Sequence, residues 1–318
     1  MANSTMEITA LPSCTSETCP ISLSPYGYRP DQGVNIVFLL SFTSSFMGLQ
    51  IITLYTRQWL AFSIPLCIAS LFEVIGYAAR IGSWSNPWGR TPYAVTEFFL
   101  TIAPTLVSSS IYVTTERMLF FLGPEHSMIN PRWYRLFIVA DMISFAVQIA
   151  GLGVAIWDVI AHDFGAGPDK AGRVIAVGVG IHALMLTVFL VFYTIALIQA
   201  AMANQELGYT TFNPDRGGYG KLTWRFRIFL VALLVGVVCL VARGVYRTIG
   251  FVEGFDGGSR IEGWFALLDG LLTAEAVLGL VVLHPSYVFT DYSKEKEAGK
   301  LNVSRPVSYG KLARQVMV

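Results

Sequence analysis

Ile228-Phe-Leu-Val-Ala-Leu-Leu-Val-Gly-Val-Val-Cys-Leu-Val-Ala-Arg243-Gly-Val-Tyr-Arg247-Thr-Ile-Gly250 is an apolar run broken by two arginines. It is long enough to cross a bilayer as a helix. Arg243 and Arg247 are four residues apart, so they share one face, one turn from each other, near one end of it. An arginine inside hydrocarbon costs at least about 2.5 kcal/mol unless it reaches the interface, water or a carboxylate. The stretch therefore predicts a membrane protein, and it predicts acids elsewhere in the chain that answer two positive charges.

The rest of the composition agrees. The 318 residues are 54% hydrophobic and 14% charged, with a mean hydropathy of +0.56, whereas soluble domains carry about 25% charged residues. The apolar residues collect in segments separated by short polar turns, and this predicts an all-α, polytopic bundle of seven transmembrane helices. The spans read Val34–Thr56, Leu60–Ala79, Pro92–Thr115, Leu136–Trp157, Val174–Ala200, Ile228–Gly250 and Gly263–His284. Pro65 and Pro104 fall inside the second and third and are expected to kink them. Three parts follow: an N-terminal segment 1–33, a transmembrane domain 34–284 and a polar tail 285–318 expected to be disordered. No internal repeat supports an inverted-repeat transporter. Nothing resembles a nucleic-acid-binding surface, and the sequence leaves the oligomeric state open.

Lys and Arg divide unevenly between the two sides. Arg57, Arg117, Arg132, Arg135, Arg216, Lys221, Arg225, Arg227, Lys294, Lys296, Lys300, Arg305, Lys311 and Arg314 fall on one side, against Arg29, Arg80, Arg90, Lys170, Arg173 and Arg260 on the other. Fourteen against six places the N-terminus outside and the C-terminus in the cytosol. Asn3-Ser4-Thr5 is a glycosylation acceptor pattern in the outer segment. Cys14 and Cys19 in the same segment are read either as a small disulfide loop or as two free thiols. This segment shows no packing periodicity, so the pair is expected to be dispensable for the bundle.

The intramembrane ionisable residues are Glu73, Glu97, Asp141, Arg243, Arg247, Asp269 and Glu275. At about 1.5 Å per residue, Glu73, Glu97, Arg243, Arg247 and Asp269 lie at one level in the outer part of the bilayer. Glu275 lies near the middle and Asp141 toward the cytosol. Three acids against two bases suggest a paired network, with Glu73 and Asp269 the leading partners of Arg243. Arg247 and Glu97 read equally as interfacial anchors. Asp141, Ser144, Gln148 and Gly151 share one face of span four, and Gly151 and Gly153 invite a close neighbour. Glu73, Tyr77 and Arg80 share a face of span two, and Tyr246 stands beside the arginines. Glu73, Tyr77, Asp141, Gln148, Arg243, Tyr246, Arg247, Asp269 and Glu275 form the candidate substrate site, although buried ion pairs that only fix helix packing explain the same residues.

Several stretches resemble the fungal lipid-translocating exporters, a family with members named for 7-aminocholesterol resistance and for export of sphingoid long-chain bases. They are Tyr26-Gly27-Tyr28, Leu71-Phe-Glu73-Val-Ile-Gly76-Tyr77-Ala-Ala-Arg80, Leu100-Thr-Ile-Ala103-Pro104 and Ser110-Ile-Tyr112. Asp141-Met-Ile-Ser144-Phe145-Ala-Val-Gln148-Ile-Ala-Gly151-Leu-Gly153, Arg243-Gly-Val-Tyr246-Arg247 and His284-Pro285 complete the set. Glu253 matches loosely a glutamate that typical members carry after the span-six arginines. The resemblance runs from Tyr26 to Pro285. It implies seven helices, a fungal plasma membrane or endomembrane, and export of amphiphilic, lipid-like molecules that confers resistance.

A long-chain base needs an acidic pocket open to lipid, which Glu73, Asp141, Asp269 and Glu275 are placed to supply. No cofactor is implied. Without a Walker loop, transport is expected to be facilitative or coupled to an ion gradient. The rival reading is a seven-helix receptor for a lipid-like ligand, signalling through the basic loop Arg216–Arg227; the positive-inside rule explains that loop equally. A zinc hydrolase is disfavoured, because His126, His162, His182 and His284 lack ligand spacing and no Gly-x-Ser-x-Gly motif occurs. His182 reads as a packed core histidine, and His284 as the end of span seven.

Overall fold

The computed structural model describes residues 14, 19–57, 59–123, 126–161, 168–207, 224–253 and 261–288. Asn3-Ser4-Thr5, His162, Arg216, Lys221 and all of the tail beyond residue 288 lie outside the described residues. Six long helices are α1 (Gln32–Thr56), α2 (Leu60–Ser85), α3 (Arg90–Leu122), α4 (Arg135–Ala161), α5 (Pro168–Leu207) and α6 (Trp224–Val252). The seventh, α7, joins Glu262–Trp264, a π-helical stretch Phe265–Leu271, and Leu272–Val282. Among the described residues, seven helical segments are long and apolar enough to cross a membrane.

Helix ends overrun the apolar runs, because the backbone ladder does not stop where hydrocarbon does. α2 continues from Ala79 to Ser85 and so takes Arg80 inside it. The 40 residues of α5 span about 60 Å, twice the hydrocarbon thickness. Pro65 and Pro104 interrupt neither helix.

Helices adjacent in sequence pack on one another, and α7 closes the bundle against both α6 and α1. α3 also reaches α5 and α6. It is the central helix: 72% of its most apolar window is buried, against 22% for α1. This burial explains why α3 carries so many hydroxyls; Thr101, Thr105, Ser108, Ser110, Thr114 and Thr115 are all turned inward.

α4 and α5 touch backbone to backbone. A Cβ on Gly178 would lie 2.9 Å from the Gln148 amide nitrogen, and one on Gly151 would lie 2.9 Å from that of Ile175. Gly153, expected to serve the same purpose, is exposed and its Cβ would meet nothing. Two residues along a helix is about 200° of rotation, so the two glycines face different ways.

The N-terminal segment contains the Cys14–Cys19 disulfide and, contrary to expectation, packs on the bundle from Ser24 onward. Aromatic rings rather than helical periodicity hold it. Tyr26 is fully buried, meets Tyr93 edge-on at 4.9 Å and shares a 3.2 Å hydrogen bond with Ser83. A turn closed by Gly27 N–H to Ser24 C=O presents the ring, and Gly27 takes the left-handed φ of 73° that this turn needs. Arg29 Nε donates to the Trp84 carbonyl at 2.8 Å, and the Asp31 amide donates to Glu262 at 2.6 Å. Burial pushes the Tyr28 phenol above its ordinary pKa, against the pull of Arg80, so its hydroxyl stays neutral.

At the opposite end, α7 stops at Leu283 and His284 ties it to α2. The Ser286 amide donates to Nδ1 at 3.2 Å, which leaves Nε2 to donate to Ser63 Oγ at 2.9 Å. The two ends of the bundle are thus pinned by different means: a strap at one, a histidine bracket at the other.

Gly178→Leu and Gly151→Leu are each expected to destabilise by at least about 1–3 kcal/mol through overpacking. Gly153→Ala should stay within about 0.5 kcal/mol of the parent. Thermal unfolding in detergent distinguishes the three.

Candidate functional site: buried charges inside the bundle

Arg243 and Arg247 are turned inward, 3% and 0% exposed. Arg247 donates from Nε and Nη2 to the two oxygens of Asp269, at 2.6 and 3.1 Å, and from Nη1 to Glu97 at 2.6 Å. Arg243 Nη2 lies 2.9 Å from Asp269 Oδ1. One aspartate therefore holds both arginines, with Glu97 as the second counter-charge. Glu97 and Arg247 are buried network members and not interfacial anchors.

Local backbone chemistry prepares both partners. Asp269 sits in the π-helical stretch of α7, where the wider turn alters the direction of its side chain. Its own carbonyl accepts from Thr273 Oγ1 at 2.7 Å. Pro104 has no N–H, so the Leu100 carbonyl one turn earlier in α3 lacks its helical donor. Arg243 Nη2 donates to that carbonyl.

A third arginine completes the cluster. Arg80, counted from sequence with the outer side, is 0% exposed. Its guanidinium stacks 3.9 Å from the centroid of Phe265 and lies 4.7 Å from that of Tyr26, and Nη2 donates to the Tyr28 hydroxyl. Arg247 approaches the same Phe265 ring at 5.3 Å. The tally of three acids against two bases thus becomes three against three, and the N-terminal strap roofs the cluster.

Glu73 is 1% exposed, but among the described residues no arginine forms an ion pair with it, and its Oε1 has no hydrogen-bond partner. Of the two partners expected for Arg243, Asp269 pairs with it and, among the described residues, Glu73 does not. Tyr77, one turn further along α2, lies against α1. Its ring is 5.6 Å from Phe42 and 5.1 Å from Phe38, and a Cβ on Gly270 would come within 2.9 Å of its hydroxyl. Tyr77 thus sets an aromatic ring against the least buried helix, one turn along α2 from Glu73.

Glu275 is exposed on the bundle exterior. It lies six residues, or roughly 240° of helix rotation, beyond Asp269 along α7. Glu253 is also exposed, and Tyr246 is half-buried beside Arg247.

Asp141 and Gln148 belong to a second polar layer, built by α3, α4 and α5. Ser108 Oγ donates to Asp141 Oδ2 at 2.6 Å, and Asp141 Oδ1 lies 3.2 Å from His182 Nδ1. Gln148 Nε2 donates to Ser144 Oγ at 2.9 Å, which donates to the Gly178 carbonyl at 2.7 Å. The sequence signal that would have added Arg80 was its i, i+3 spacing from Tyr77 on the Glu73 face. His182 carried no comparable signal, because its partner is on another helix.

Arg247→Met and Asp269→Asn are each expected to cost about 3–5 kcal/mol, since each strands a buried charge. Their double-mutant cycle should show coupling of about 0.5–3 kcal/mol, with a smaller value for Arg243 with Glu73. Pro104→Ala restores an N–H that competes with Arg243 for the Leu100 carbonyl. Removing this mid-helix proline is therefore expected to yield no gain in thermal stability.

Comparison with known proteins places this bundle. The chain is 26% identical over 291 residues to the sphingoid long-chain base transporter RSB1 of Saccharomyces cerevisiae, covering 83% of this chain and 74% of that protein. It is 24% identical over 286 residues to Protein RTA1 of the same yeast, covering 82% and 84% of the two chains. Protein RTM1, also from Saccharomyces cerevisiae, is 27% identical over 219 residues, covering 68% and 65%. No solved structure matches. Residues 66–292, from α2 through the end of α7 and its histidine bracket, match the model of the RTA1 like protein family, and the chain belongs to that family.

Proposed function

We propose that the protein moves amphiphilic, lipid-like molecules with a cationic head across the membrane and confers resistance by exporting them. Sphingoid long-chain bases and sterol-like toxic compounds are the classes in view. The observation that carries this reading is the Glu73 carboxylate, 1% exposed with an oxygen left unpartnered, while Arg247 and Arg243 hold Glu97 and Asp269. A buried acceptor costs free energy until a donor meets it. A cationic head supplies that donor, and Tyr77, Phe38 and Phe42 supply an aromatic wall. The similarity to a protein named as a sphingoid long-chain base transporter supports the choice of substrate class.

In this reading Glu73 and Tyr77 receive the head, and Arg243, Arg247, Asp269 and Glu97 form the frame that keeps the site open. Tyr246, half-buried beside Arg247, borders that frame. The substrate enters from lipid past α1, which is the least buried helix. The Lys and Arg distribution orients the N-terminus outward and the tail to the cytosol, in the plasma membrane.

Purified protein in liposomes should move a labelled long-chain base, and Glu73→Gln should reduce the initial rate at least tenfold without loss of folded protein. Wild-type liposomes that move neither long-chain bases nor other amphiphiles, and a ligand-stimulated cellular response in their place, would overturn the reading.

A further inference from the structure

The second polar layer contains two titratable groups that the charge cluster does not use. Asp141 and His182 are 1% and 4% exposed, with Oδ1 and Nδ1 3.2 Å apart. Among the described residues, neither His182 nitrogen has a hydrogen-bond partner, nor does Asp141 Oδ1. From α3, Asp141 is faced by Ser108, which donates to Oδ2, and by the Tyr112 hydroxyl. Its own helix adds uncharged Ser144 and Gln148. α5 contributes His182. α6 packs on α5, but its charges Arg243 and Arg247 are committed to Asp269, Glu97 and the Leu100 carbonyl. Among the described residues no other ion pair reaches Asp141 or His182.

We propose that Asp141 and His182 hold one exchangeable proton between them, and that a cationic head entering the bundle displaces it. With one proton the pair is neutral, as carboxylic acid and imidazole or as carboxylate and imidazolium. Losing that proton leaves a net negative charge in a dry interior, a state of high cost. An arriving ammonium group is the counter-charge that makes the loss tolerable, and the proton passes to solvent. The exchange is electroneutral, one proton for one cation, and needs no nucleotide. Ser108 holds Oδ2 in place, so Oδ1 is the oxygen that exchanges. The coupling rests on the transport reading above; the proton site itself does not.

The test uses the full chain in detergent and then in liposomes. Addition of a long-chain base in weak buffer should release about one proton per base bound. Asp141→Asn should lower that release at least fivefold while base still binds, and Asp141→Glu should restore it. In liposomes a one-unit pH gradient should bias accumulation by up to about tenfold, and the bias should vanish in Asp141→Asn. Base binding without proton release, or release unchanged in Asp141→Asn, would overturn the exchange. Infrared titration without any lipid provides an independent readout. A carboxylic-acid or imidazolium band that titrates in the parent and is lost in Asp141→Asn, checked for folding, supports the proton site even where no lipid moves, an outcome that sinks the transport reading alone. A parent protein without such a band overturns the site.

Discussion

Two guanidinium groups in an apolar helix have to be neutralised inside the bundle, and much of the remaining architecture is the consequence. Asp269 is shared by Arg243 and Arg247, so α6 and α7 are locked at one register. Glu97 adds α3. The π-helical stretch around Asp269 and the proline at position 104 are irregularities that each serve this lock: one redirects a carboxylate, the other frees a carbonyl. In a dry interior such local defects cost little beside an unpaired arginine, whose stranding is worth about 3–5 kcal/mol.

Around the lock the polar interior divides in two. The layer beneath the strap holds three arginines and three acids, with Phe265 lying against both Arg80 and Arg247. The layer between α3, α4 and α5 holds Asp141 and His182 without any arginine. The first is tied together by Asp269 and Glu97, with Glu73 Oε1, Arg243 Nε and two Arg80 nitrogens left over among the described residues; the second is where the proposed proton exchange sits. On the proposed reading, an ion-paired frame stands beside a proton-exchanging pair, so that a charged head would pass through the bundle without building up net charge.

The strap and the histidine bracket define how the ends are held. Tyr26, Arg29 and Asp31 tie residues outside the spans to α2, α3 and α7. His284 ties α7 to α2 at the other end. α1 is engaged mainly by α2 and α7 and leaves most of its surface outward, so it is the helix whose displacement would disturb the lock least.

Seven spans, their approximate limits, and the need for intramembrane acids near Arg243 follow from the order of residues alone, because hydrophobic length and the cost of a buried charge are properties of the chain. The stripe Asp141, Ser144, Gln148 and Gly151 was legible for the same reason: its helix has a known period. Azimuth between helices was not. Its place inside span seven made Glu275 a candidate site residue, yet it faces outward, and depth left Glu73 and Asp269 equal candidates for Arg243, of which Asp269 is the one that pairs. The spacing puts Arg80 on the Glu73 face of span two while hydropathy, ending at Ala79, counts it with the outer side; the helix and its aromatic roof continue past it. Which acid meets which base, and whether His182 lies beside a carboxylate, depends on how helices rotate against one another. That rotation is set by contacts such as Gly151 and Gly178 at the α4–α5 crossing, between residues far apart in sequence, and only the packed bundle decides it.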